Sequence, residues 1–123
     1  MCMDNITGEE GFERSALSLV VEAWKFARFF RDIMPKLGAE DHARCERRYS
    51  WFCRKLDEIA DDMGLRIIDI VSGTDYDPGM AVTPINIDDF DAGDSLQVST
   101  MIEPVIMTGD SVVRTGTVIL RRP

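Results

Sequence analysis

The sequence predicts an α+β chain in which a helical hairpin is followed by a small all-β domain. Three observations carry that prediction. Two long stretches in the first half repeat apolar residues every three and four positions, as one face of a helix requires. Short β-branched runs at 65–71, 96–107 and 112–120 are separated by Gly, Pro and Asp clusters, the pattern of small strands joined by tight turns. The 123 residues also fit one domain or two small modules, since a single core usually serves about 100 to 150 residues.

Taken in order, residues 1–11 are polar, contain Gly8 and Gly11, and read as a disordered tail. From residue 12 to 34, Ala16, Val20, Ala23, Ala27, Phe30 and Met34 alternate spacings of four and three, and Leu19, Phe26 and Ile33 widen the stripe. Leu17, Val21, Trp24 and Phe29 fall outside it. That leaves more apolar surface than one neighbour within the chain can cover, which points to self-association.

Pro35 and Gly38 break the pattern. A second helix, about 40–63, carries Cys45, Tyr49, Phe52, Leu56, Ile59 and Met63 at the same spacing, and Gly64 stands where a left-handed C-cap belongs. A hairpin of this size makes a poor core alone. Pairing two copies as a four-helix bundle buries both apolar sides, so residues 12–64 are expected to form a homodimer through Leu17, Val20, Trp24, Ala27, Phe30, Tyr49, Phe52 and Leu56, the alternative being a monomer whose hairpin packs on its own β domain.

Residues 65–123 read as the β domain. Its first strand, LRIIDIV, is apolar enough to expect cover on both faces. SGTDYDPG is a turn, 84–95 an exposed acidic connection, and Pro104 must take an edge or a bulge because it cannot donate to a ladder. A turn at 108–110 leads to Val112, Val113 and Arg114, and Thr115-Gly116 precedes the last strand.

The net charge of −8, from 22 acidic and 14 basic residues, argues against a nucleic-acid surface. There is no apolar run of the ~18 residues a spanning helix needs, and the start lacks a leader pattern, so a cytoplasmic protein without membrane attachment is expected. Cys2, Cys45 and Cys53 have neither disulfide nor metal spacing. His42 with Cys45 falls short of a zinc set. Asp89, Asp91 and Gly93 fail as a calcium loop, because the glycine comes one position early and Thr100 stands in place of the bidentate glutamate. One histidine, no nucleophile elbow and no phosphate loop leave no active site to assign; the expectation is a binding protein with no cofactor and no metal.

The order of features resembles the GrpE family, the nucleotide exchange factors of DnaK-type chaperones. FFRDIMPKLG is similar to that family's Leu-Leu-Pro-Val-Leu-Asp helix end, and LDEIADDMGLRII to its second helix running into Gly-Val and a strand. YDPGM resembles its Phe-Asp-Pro-Asn turn, and VVRTGTVIL its closing Val-Leu-Arg-Pro-Ala-Val-Val strands. The likeness spans residues 15–122. The sequence departs from the family in having few residues ahead of the first helix where the family has a long paired one. It also departs in Val105, Ile106 and Met107, which stand where the family has Gly-Tyr, and in the acidic loop. The resemblance implies a non-enzymatic co-chaperone that docks on the nucleotide-binding domain of a DnaK-type ATPase and promotes ADP release. It further implies contacts at Arg114 and Pro78, with Asp77, Met107 and Val112 as weaker additions. A dimeric adaptor that binds such a partner without driving exchange is the alternative.

Overall fold

The computed structural model describes residues 8–123, and the mixed α+β class holds: two helices lead into small β-sheets. The chain divides into two compact units, Met1–Leu56 and Asp57–Pro123.

In the first unit, helix α1 spans Gly8–Ile33 and α2, Ala39–Asp62, begins in it. Residues 8–11 of the expected tail are helical, and the remainder of that expectation, residues 1–7, lies outside those described. Glu9 and Glu10 in the first turn of α1 and Arg31 in its last complement the helix dipole, which extends the helix past the sequence-based start. Pro35 ends the helix as expected: Met34–Lys36 tighten into a 3-10 turn closed by the Leu37 N–H on the Met34 carbonyl at 3.1 Å. Phe30 of α1 stacks on Tyr49 of α2, with ring centroids 6.5 Å apart.

The two apolar sides of α1 have different fates. Val20, Val21, Trp24 and Ala27 share the buried face, where the Arg28 guanidinium lies 4.4 Å from the centre of the Trp24 ring. Phe12, Leu19 and Phe26, seven residues apart, run along another face and are 76%, 71% and 64% exposed, with Phe29 beside them at 62%. Ala16, Ala23, Phe30 and Ile33, half-buried, complete that second stripe.

Burial, then the hydrogen bond to and the electrostatic repulsion from the Cys53 side chain, push the Tyr49 phenol above its ordinary value of 10.0, against the pull of Arg31 and Arg28. The fold therefore favours the protonated phenol. Its contribution to stability is complete below the ordinary value and is lost as pH rises through the elevated one. In a Tyr76→Phe variant, ultraviolet titration is expected to show Tyr49 ionising later than a free phenol, and Cys53→Ala to lower that midpoint; ionisation at or below the free value would contradict this environment.

The second unit opens with the end of α2. The Leu65 N–H bonds the Ala60 carbonyl at 2.8 Å and the Gly64 N–H bonds the Asp61 carbonyl at 2.9 Å, while Gly64 takes φ +75°: a Schellman cap at the glycine the sequence marks for it. Six strands follow, β1 (Arg66–Ile68), β2 (Val82–Pro84), β3 (Gln97–Glu103), β4 (Val105–Thr108), β5 (Ser111–Arg114) and β6 (Gly116–Arg121). They form two three-stranded sheets, ordered β1-β4-β5 and β2-β6-β3. All neighbours are antiparallel except β2 and β6.

The long runs at 96–107 and 112–120 each serve both sheets. Pro104 sits between β3 and β4, fully buried, at a corner and not on the expected edge or bulge. Lacking an N–H, it interrupts one ladder where the next begins. Thr115 marks the facing break between β5 and β6. Gly109 starts the β4–β5 turn with φ +58° while Asp110 stays negative, as a two-residue hairpin with glycine first demands.

Two further expectations need correction. The first strand is only Arg66–Ile68, half-buried or exposed, because the apolar run ends in turns and finds one partner strand, not two covered faces. The acidic connection 84–95 begins inside β2 and contains a 3-10 turn at Ile87–Asp89. Beyond β2, Asn86 acts as a surrogate strand residue: its amide donates to the Leu120 carbonyl and accepts the Leu120 N–H, both at 2.9 Å. Val98, Met101, Val105, Ile106, Val118 and Leu120 form the core: Val118 and Leu120 stand at alternate positions of β6, Val98 and Met101 come from β3 across its irregular register, and Val105 and Ile106 open β4.

Candidate functional site: the β5 edge and the corner beneath it

β5 is an edge strand, paired only with β4. The pairings Ile106 with Arg114 and Met107 with Val112 leave Val113 as an extra residue, a bulge that twists this edge. Val112 and Val113 are both exposed, and Met107, opposite Val112, is half-buried. Arg66 closes the hairpin tip by donating from Nη2 to the Gly109 carbonyl at 3.0 Å, and the same nitrogen lies 3.9 Å from the Met107 sulfur.

Arg114 ends β5 just before the corner. Its Nη2 donates to Glu103 Oε1 at 3.3 Å, and Glu103 is the last residue of β3 before Pro104. The ion pair thus straps the two breaks together. At this partial exposure it is worth on the order of 1 kcal/mol or less, so an incoming acceptor displaces it at small cost. The result is an anchored cation beside apolar area and a free strand edge. Such a surface suits protein docking.

The other residues singled out in the sequence lie elsewhere. Asp77 and Pro78 occupy an exposed turn, where Asp77 Oδ1 accepts the Gly79 N–H at 3.0 Å and the Asp77 carbonyl accepts the Met80 N–H at 2.9 Å. This turn is tied to sheet β2-β6-β3 through the bridge of Asp75 with Gln97, not to β5. Met107, Val112 and Arg114 come together; Asp77 and Pro78 form a second exposed point of the same unit.

Among the expected dimer residues, Val20, Trp24 and Ala27 are buried within the single chain and have no surface left for a second copy. Leu17, Phe30, Tyr49, Phe52 and Leu56 keep partial exposure. The periodicity identified the helix but not which of its two apolar faces the chain itself covers. Sequence reasoning also missed Glu103, Arg66 and Val113. An acid placed directly before the proline that splits a strand was the available signal for Glu103.

Among the described residues, no group of three or more His, Cys, Asp or Glu is arranged to hold a metal ion, and no helix is long and apolar enough to cross a membrane. No family of known proteins, no curated protein and no solved structure matches the chain.

Proposed function

We propose that the chain is a non-enzymatic exchange factor of the GrpE kind, a homodimeric co-chaperone whose β unit docks on the nucleotide-binding domain of a DnaK-type ATPase in the cytoplasm and promotes ADP release. The observation that carries this reading is the β5 edge, where Val112, Val113 and Arg114 present apolar area, an anchored cation and an open strand edge. Exchange requires no catalytic group. A surface that binds the open nucleotide cleft more tightly than the closed one weakens nucleotide binding by the same factor. The exposed stripe of Phe12, Leu19, Phe26 and Phe29 supports the dimer. With about 200 Å² per aromatic side chain, it leaves on the order of 500 Å² of apolar surface in water per copy. Pairing two copies would bury about 1,000 Å², the lower bound for a specific interface.

Arg114→Ala tests the docking surface. Stopped-flow release of a fluorescent nucleotide from the partner ATPase should be accelerated about tenfold less by the variant, with a cooperative thermal melt lowered by no more than the few degrees that losing the Glu103 pair costs. Equal acceleration by variant and parent would remove Arg114 from the surface. A parent that binds the ATPase without accelerating release would be an adaptor, and the exchange reading would fall.

A further inference from the structure

The charge of the chain is not evenly spread. Residues 25–55 hold nine of the fourteen Lys and Arg against four Asp and Glu, while the remainder holds five basic against eighteen acidic residues. The basic excess has a defined address on α2. Arg44, Arg47, Arg48, Trp51, Arg54 and Lys55 stand at i, i+3, i+4, i+7, i+10 and i+11, so they share one face about 16 Å long. All six are exposed, Trp51 to 45%.

An exposed tryptophan in the middle of five cations is not explained by packing. The Arg48 guanidinium lies 5.7 Å from the centre of its ring, within cation–π range. Two open clefts flank it and share Trp51 and Arg47 as a common wall. One, of about 520 Å³, also takes in Phe30, Cys45, Arg44 and Arg48; the other, of about 510 Å³, takes in Arg31, Met34, Tyr49, Ser50 and Arg54 with the single carboxylate Glu46. At the stripe's first end Arg44 Nη2 already pairs with Asp41 Oδ1 at 3.1 Å, in an exposed contact that an incoming carboxylate can exchange. Apolar floors with guanidinium rims suit a ligand that is itself apolar and anionic by turns.

We propose that this face of α2 binds an acidic protein segment, one carrying leucine or aromatic side chains between its carboxylates. The carboxylates pair with Arg44, Arg47, Arg48, Arg54 and Lys55, and the apolar side chains enter the clefts beside Trp51. A short segment of this kind feels charge only over the ~8 Å screening distance at physiological salt, where the five cations of the stripe outnumber the neighbouring Asp41 and Glu46. A nucleic acid gains its affinity from many successive phosphates and would meet the acidic remainder of the chain within a turn or two. The proposal does not rest on the exchange reading, whose docking surface lies in the other unit.

The probe is a fluorescein-labelled peptide of Glu and Leu at helical spacing, about twelve residues long, which spans the stripe. Titrated into the full chain, it should raise anisotropy saturably, weaken with added salt, and shift the emission of Trp51 in the parent but not in Trp51→Phe, where only buried Trp24 remains. Arg47→Glu combined with Arg48→Glu should weaken binding by about tenfold or more, as should Trp51→Ala, with the Trp24 emission reporting an intact fold. Affinity unmoved by these variants, equal affinity for the peptide with Lys in place of Glu, or tighter binding of an oligo-dT of the same length would each overturn the proposal. So would a shift from dimer to monomer in Arg47→Glu/Arg48→Glu, because the face would then belong to a second copy.

Discussion

Gly116→Ala is expected to cost about 3 kcal/mol or more and to leave the β unit unfolded at temperatures where the parent is native. A Cβ built at this position would stand 2.8 Å from the Glu103 carbonyl oxygen, 2.9 Å from Met101 Cε and 3.1 Å from Val105 Cγ2. The methionine tip can turn aside. The carbonyl cannot, because it belongs to the peptide leading into Pro104, which is fully buried, and because Glu103 is in register with Thr117 on the neighbouring strand. Gly116 is therefore required by close approach and not by backbone angle: its φ is not in the left-handed region. Gly38→Ala is the matched control, with open space around its Cβ and an unremarkable φ, and should change stability by about 0.5 kcal/mol at most. Urea melts of both variants decide the matter. If Gly116→Ala melts with the parent, the corner is not the tight joint described.

How much of this could be read beforehand varies from residue to residue. Gly64 announced a helix cap and Gly109 a hairpin turn, since each position demands φ above zero and few residues but glycine supply it cheaply. Gly116 gave no such signal, because its need comes from a backbone 13 positions earlier that only the fold brings near. Pro104 was legible as a break in the ladder, but periodicity cannot say that the two halves of the run belong to different sheets. β2 and Asn86 were hidden by their neighbours: a strand of three residues ending in proline, followed by an asparagine that mimics backbone, reads as loop in an acidic context. On α1 the difficulty was an excess of signal. Val20, Val21, Trp24 and Ala27 on one side and Phe12, Leu19 and Phe26 on the other both satisfy a helical period, and only the folded chain shows which set it covers.

That distinction makes the dimer testable with substitutions that spare the fold. Leu19→Asp combined with Phe26→Asp alters two side chains that are 71% and 64% exposed, so the single chain should keep its helicity. In a four-helix bundle those positions become an apolar seam, and the two unpaired carboxylates buried there together cost at least about 2 kcal/mol on each copy. The dissociation constant should therefore rise by roughly a thousandfold, converting a dimer to a monomer at micromolar concentrations in sedimentation equilibrium. Val21→Asp, at a position with no exposure, should instead abolish the far-ultraviolet helical signal, which separates loss of pairing from loss of folding. A parent that sediments as a single copy would leave the exposed stripe of α1 without the occupant assigned to it. Retention of the dimer in the double aspartate variant would move the interface to the half-buried positions on α2, Tyr49, Phe52 and Leu56.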